Sequence, residues 1–275
     1  MPITLIEVPY YGGQKAAGPA LGVVRLAEAR PALHRESVNW TGSPASELDA
    51  LVEISRALAG CICEAVQGGD FPLVLGANCY TCLGVLAGLN NPGVGVIWFD
   101  AHGDFNTPST SPSGYLDGMP LAIAAGLCYP EVLTQIGGMP ISEARIVHVG
   151  ARALDPGELD LLQNSSVSMA AMEAIRHEGL EGALAPALNA LRRQTGEIYL
   201  HLDFDVIDPQ KAPGVLFPEP DGLSLAEIEE AIRLVKERFE VRAASLIGYH
   251  PVADHHDWTF RLGLRLVDVI GGLIS

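Results

Sequence analysis

The chain has 275 residues, with 33 acidic against 17 basic side chains and a formal net charge of −16 at pH 7. That length suffices for one large α/β domain with a substantial core, and residues 1–275 read as a single domain. The acidity excludes polyanionic partners, since nucleic acid and an anionic membrane surface would both be repelled. No apolar run reaches the roughly 18 residues of a membrane span. The start "MPITLIEVPYYGG" lacks the basic stretch and long apolar core of a signal peptide, so a cytoplasmic location is expected. The five cysteines, an odd number, fit a reducing compartment better than a disulfide framework. Cys79-x-x-Cys82 has zinc-ribbon spacing but no second such pair, so no structural zinc site is expected.

In chain order, "ITLIEV" (3–8) predicts a strand, 45–67 a helix, and "PLVLG" (72–76) and "VGVIWFD" (94–100) two more strands. "ARIVHVG" (144–150) is a further strand, 180–194 a helix, and "EIYLHLD" (197–203) a strand. "SLAEIEEAI" opens a helix over 224–238 with a capping box, Ser224 and Glu227 three residues apart. "RAASLIGY" (242–249) and a helix over 258–270 complete the pattern. Strands that are apolar nearly throughout, alternating with helices, imply a mostly parallel sheet covered on both faces. In such sheets the active site lies at the carboxyl ends of the strands. Two long loops, 106–120 and 206–222, are functional candidates. No G-x-G-x-x-G turn or P-loop supports nucleotide binding. His34, His148, His177, His255 and His256 read as surface or core histidines.

"WFDAHGDFN" places Asp100, His102 and Asp104 at alternate positions, and "YLHLDFDVIDP" repeats the device with His201, Asp203 and Asp205. On extended backbone such residues share one side. Buried carboxylates are costly unless compensated, and a metal cation is one of few groups able to do so. Oxygen-rich ligation with one or two imidazoles suits Mn²⁺ or a related ion, and shared carboxylates can bridge two ions.

"DAHGDFN" and "DFDVIDP" resemble the two signature motifs of the ureohydrolases, the arginase and agmatinase superfamily, with order and spacing matching over most of the chain. The resemblance implies a three-layer α/β/α domain around a mostly parallel sheet of about eight strands, in a homo-oligomer. It implies hydrolysis of a guanidino or formimidoyl carbon in a small-molecule substrate by a hydroxide held between two Mn²⁺ ions. It assigns Asp100, Asp104 and Asp203 to bridging, and His102 and Asp205 to single ions. Asn106, Ser111 and Ser113 in "NTPSTSPSG" match the arginase loop that holds an α-carboxylate. Asp155 in "ARALDPGE" matches the acid that holds an α-amino group.

Three positions depart from that pattern. "LGANCYT" sets Cys79 where the family's "GGDHS" has its ligating His. Cys79 either ligates, which would favour Zn²⁺, Fe²⁺, Co²⁺ or Ni²⁺ over Mn²⁺, or is a buried apolar filler beside a single-ion site. His201 is an alternative source of the missing nitrogen. "SGYLDGMP" sets Asp117 where arginases have a proton-shuttling His, so Asp117 is either a general acid–base with a raised pKa or a loop acid. With His102 and Asp104 it makes up the expected catalytic set. "LIGYHP" sets Gly248 where "EVNP" grips the guanidinium. His250, or Asp254 or Asp257, is the candidate substitute. The Cys-for-His exchange is similar to that of the Nω-hydroxy-L-arginine hydrolases, which points to arginine or a hydroxyarginine-like substrate. The competing expectation is a catalytically altered homologue that serves as a ligand-binding or partner subunit.

Overall fold

Alternation along each strand decides the architecture of this computed structural model, which describes residues 1–273. The strands are β1 (Ile3–Val8), β2 (Tyr10–Tyr11), β3 (Gln14–Lys15), β4 (His34–Ser37), β5 (Phe71–Gly76), β6 (Gly95–Phe99), β7 (Ile146–Val149), β8 (Ser168–Ala170), β9 (Glu197–Asp203) and β10 (Glu240–Ile247). The helices are α1 (Ala20–Glu28), α2 (Glu47–Gly68), α3 (Thr81–Leu89), α4 (Pro120–Ala124), α5 (Pro130–Ile136), α6 (Pro156–Gln163), α7 (Met172–Glu178), α8 (Leu180–Arg192), α9 (Leu225–Lys236) and α10 (Trp258–Gly271). Eight strands form one all-parallel sheet in the order β4-β1-β5-β10-β9-β6-β7-β8.

In β6, Ile97 and Phe99 join one apolar layer while Val96 and Trp98 join the other. The first layer takes Leu26 of α1, Ile175 of α7, Leu184 of α8, Ile228 of α9 and Leu266 of α10. The second takes Leu58 of α2, Leu83 of α3, Leu121 of α4, Val132 of α5 and Leu162 of α6. The result is the expected α/β/α sandwich with both sheet faces covered. Two helices carry their start signals in the sequence. Ser46 accepts from Asp49 N–H at α2, and at α9 Ser224 and Glu227 accept from each other's backbone N–H.

The sequence reading misses β4 and β8. "HRES" is almost wholly exposed and "SMA" spans three residues, so neither carries an apolar period. Each is a strand because it pairs with a well-formed neighbour, β1 or β7. The predicted strands 94–100 and 242–249 run too long. β6 stops at Phe99, and β10 stops at Ile247 because Gly248 takes φ +85° and turns the chain away. Because every strand of this eight-stranded sheet runs in one direction, the carboxyl ends of β5, β10, β9 and β6 lie side by side at one edge. Among the described residues no helix is long and apolar enough to cross a membrane.

Candidate metal centre

Each of the two acidic motifs folds into the same small device just past its strand. Asp100 Oδ1 accepts from His102 N–H at 2.7 Å, and Asp203 Oδ1 accepts from Asp205 N–H at 2.7 Å. An aspartate that bonds the amide two residues on reverses the chain locally and leaves its second oxygen for partners elsewhere. Those second oxygens face Cys79, which lies between β5 and α3. The Cys79 thiol is 3.3 Å from Asp203 Oδ2 and 3.8 Å from Asp100 Oδ2. The expectation that extended backbone aligns Asp100, His102 and Asp104 is therefore corrected. The strand has already ended, and Asp104 sits in left-handed backbone at φ +51°. A non-glycine residue held there costs on the order of 1–3 kcal/mol, a strain that persists only where the surroundings enforce it. Glu158 enforces it from α6, accepting from Phe105 N–H at 2.8 Å and lying where a side chain on Gly103 would have to go.

Cys79, Asp100, His102, Asp104, Asp203 and Asp205 line a single cavity of about 420 Å³. Asn106, Ser111, Ser113, Asp117 and Asp155 line it as well. Asn106 Nδ2–H donates to Asp155 Oδ2 at 2.9 Å, which links the two motifs assigned to a head group. Asp117 accepts from Asn78 Nδ2–H at 2.7 Å and from Tyr80 N–H at 3.1 Å, so it is held from the Cys79 loop. Glu158, Phe217 and Glu219 are among the further lining residues that the sequence reading does not single out. Glu158 ends the quoted "ARALDPGE". Phe217 and Glu219 lie two apart in the Pro-rich loop, whose irregular backbone gives no period to read.

His250 is the exception. It does not line the cavity: the turn at Gly248 carries the chain off the sheet end, and His250 N–H is tied to Gly214 O at 2.7 Å. Asp254 and Asp257 are not substitutes for the absent glutamate either. Asp254 accepts from Thr259 and Phe260 N–H at the start of α10, and Asp257 pairs with Arg25 at 2.9 Å. Nor does the backbone leave room at Gly248. A Cβ there would lie 2.7 Å from Asp203 Oδ2.

The electrostatics of this floor are unfavourable without a cation. Burial, with Asp205 adding to it, pushes Asp100 up to about 7 despite the neighbouring His102. Burial and neighbouring carboxylates drive Asp104 and Asp203 well above the usual carboxylate range. Asp205 goes the other way: burial raises it, but the bond and charge of His102, with the Ala101 N–H and Asp100, together outweigh that. Burial opposes a charge on His102, yet hydrogen bonds to Asp100 and Asp205, the latter at 3.0 Å, pull its imidazole up to about 12. Burial first, then Asp104, Asp203 and Asp100, raise the Cys79 thiol well above its ordinary value. Burial likewise lifts Asp117 to about 7, against the bonds from Asn78 and Tyr80.

Among the described residues no lysine or arginine forms an ion pair with the four aspartates, and Asp104 Oδ2 is buried with no hydrogen-bond partner. Two sets of potential ligand atoms each lie within 4.8 Å of one another: Cys79, Asp100 and His201, and Asp100, His102 and Asp205. Two such sets sharing Asp100 fit a pair of divalent cations, which would supply the missing positive charge.

Acids, imidazole and thiol gathered at the carboxyl edge of a parallel α/β/α sheet define a metal-dependent hydrolase of the ureohydrolase class. A sequence model described as the arginase family matches residues 2–271. The arginase of Bacillus caldovelox is 33% identical over 294 aligned residues, covering 98% of each chain. The crystal structure of arginase from Bacillus cereus has a TM-score of 0.85 at 30% identity, covering 100% of this chain and 99% of its own. That of Entamoeba histolytica arginase in complex with L-ornithine has a TM-score of 0.87 at 27% identity, covering 99% and 100%. The chain belongs to the arginase family. It is thus an amidinohydrolase, acting on the C–N bonds of amidines.

Proposed function

We propose that the protein hydrolyses the guanidino C–N bond of a small molecule with an amino-acid head group, at a centre of two divalent cations. One observation supports this above the others: a single cavity carries the acids, imidazole and thiol together with Asn106, Ser111, Ser113 and Asp155. Asp100, His102 and Asp205 would hold one ion, and Asp100, Cys79 and Asp203 the other, with Asp104 available to both. The first set, of oxygen and nitrogen donors, suits Mn²⁺; sulfur in the second extends the choice to Zn²⁺, Co²⁺, Ni²⁺ or Fe²⁺. When bound, such a pair supplies Lewis acidity and brings the pKa of a water near neutrality.

The remaining steps belong to the chain. Asp155 offers a carboxylate to the α-amino group, held in place by Asn106. Ser111 and Ser113 accept backbone N–H from Gly114 and Tyr115 and lie 3.5 Å from each other, which leaves at least one hydroxyl hydrogen for the α-carboxylate. L-Ornithine, the molecule bound to the E. histolytica arginase, carries the same head group. Asp117 holds a proton near neutral pH and gives it to the leaving amine. With no carboxylate at Gly248, nothing on β10 grips a full guanidinium charge, so we favour Nω-hydroxyarginine over arginine. The chain works as one domain in the cytoplasm, in keeping with its five free cysteines.

The test is release of urea or hydroxyurea, or of formamide from formiminoglutamate, with Mn²⁺, Co²⁺, Ni²⁺ or Zn²⁺ added. The substrates are arginine, Nω-hydroxyarginine, agmatine, guanidinobutyrate and formiminoglutamate. Turnover of hydroxyarginine above the rest is expected. No turnover across the panel, with less than one ion per chain, would instead assign the protein a non-catalytic, ligand-binding role.

A further inference from the structure

The register of the sheet brings a row of polar side chains onto one face beneath the cavity. His148 of β7 pairs with Trp98 of β6, Trp98 with His201 of β9, and His201 with Ser245 of β10. His201 is completely buried and lies flat on Trp98, with ring centroids 3.5 Å apart and planes 1° from parallel. The Trp98 indole N–H, in turn, donates to Asp100 Oδ2 at 3.2 Å. A buried histidine in an apolar layer is ordinarily filler, and then both ring nitrogens need partners from protein.

Only one has such a partner. Tyr199, two residues earlier on the same face, donates its hydroxyl hydrogen to Ser245 Oγ at 2.7 Å, and its oxygen lies 2.9 Å from His201 Nδ1. A phenol has a single hydrogen, so at that contact Nδ1–H donates and the Tyr199 oxygen accepts. The neutral ring therefore keeps its lone pair on Nε2, which is buried and has no hydrogen-bond partner. Leaving such an acceptor unpaired costs about 1–3 kcal/mol. An imidazole whose Nδ1–H is fixed by a hydrogen bond while its Nε2 is left bare has the arrangement of a metal-bound histidine. The groups within reach are the Cys79 thiol and an Asp100 oxygen, within 4.8 Å, and the thiol hydrogen is directed at Asp203 and Asp100 instead.

We propose that His201 Nε2 is a ligand to the inner cation, alongside Cys79 and Asp100, so that this position has sulfur, nitrogen and oxygen donors. The proposal rests on the reading that the centre holds two divalent cations. It deepens that reading, because His201 joins Cys79 rather than replacing it. With Asp203 beside Cys79, four donors of mixed softness favour Zn²⁺, Co²⁺ or Fe²⁺ at this position over Mn²⁺. Tyr199 is then a positioning residue, acting through the ring it orients.

The test is X-ray absorption on the full chain loaded with Co²⁺ to two ions, counting imidazole and sulfur scatterers, with metal affinity by competition titration. Ligation by both His102 and His201 gives an average of one imidazole per ion; His102 alone gives half of one. His201→Ser should lose that half and bind the inner ion at least 10-fold more weakly. Tyr199→Phe, which keeps the ring but removes its acceptor, should weaken affinity about 10–100-fold. Half an imidazole per ion in the unsubstituted protein overturns the His201 assignment while leaving the two-ion reading intact. Fewer than one ion per chain overturns both. Should His201→Ser lower the melting temperature of the metal-free protein yet bind Co²⁺ as before, His201 is packing and the proposal fails. The count on the unsubstituted protein decides the matter even if neither variant folds.

Discussion

Gly248 offers a quantitative test of how closely the metal-binding acids are packed. Replacing it with alanine has two costs. The residue sits at φ +85°, in left-handed backbone that a non-glycine residue adopts at a cost of about 1–3 kcal/mol. The added Cβ would also lie 2.7, 2.9 and 3.1 Å from Oδ2, Oδ1 and Cγ of Asp203, closer than ordinary van der Waals contact. Forcing extra carbon into a packed site adds about 1–3 kcal/mol. If Asp203 stays, Gly248→Ala therefore loses roughly 2–6 kcal/mol, a fall in melting temperature on the order of 3–10 °C for a chain of this size. If Asp203 swings away instead, stability is partly recovered, but its bond to Asp205 N–H and its contact with Cys79 are lost, and metal affinity drops. Thermal unfolding of metal-free protein together with a Co²⁺ titration distinguishes the two. Gly248→Glu should likewise fail to create arginine hydrolysis. An alanine variant with unchanged melting temperature and unchanged metal affinity would refute the argument.

Four further outcomes are expected. Asp117, lifted to about 7, is protonated below that pH, so a rate that depends on its proton falls as pH rises past about 7. Asp117→Asn should remove that limb and lower kcat by about 10²–10⁴-fold, which a pH–rate profile reads directly. His102, raised to about 12, and the Cys79 thiol, raised well above its usual range, both carry protons at neutral pH in the metal-free protein. Ligation must displace both, along with any proton retained by Asp104 and Asp203, so the logarithm of apparent affinity should climb by about two or more per pH unit between pH 7 and 8. Calorimetry in buffers of different ionisation enthalpy counts the protons, and fewer than one released would disprove these ligand roles. Asp155→Ala should raise KM for hydroxyarginine about 10–100-fold through loss of a charge-assisted hydrogen bond. Guanidinobutyrate, which has no amino group, should be unaffected. Ser224→Ala removes one half of the α9 capping box and should cost about 1 kcal/mol, with metal binding unchanged.

The features legible in the sequence are those that local geometry dictates. Period-two alternation sorts Ile97 and Phe99 from Val96 and Trp98, and strands apolar on both faces require helices above and below. The pairs Asp100–His102 and Asp203–Asp205 are separated by two residues, the reach of an aspartate to a nearby amide, so each half of the centre is encoded within a few positions. Edge strands β4 and β8 were hidden because pairing with a neighbour, and not their own residues, makes them strands.

Contacts across long sequence separations needed the fold. Cys79 and Asp203 are 124 positions apart, and only the adjacency of β5, β10 and β9 brings sulfur to carboxylate. The same register lays His201 on Trp98 and points Tyr199 at Ser245, and the turn at Gly248 takes His250 away from the cavity it was expected to serve. Which residues carry chemistry is a property of side-chain type and short spacing. Which of them meet is set by strand order and backbone turns, whose energies come from contacts made across the whole sheet.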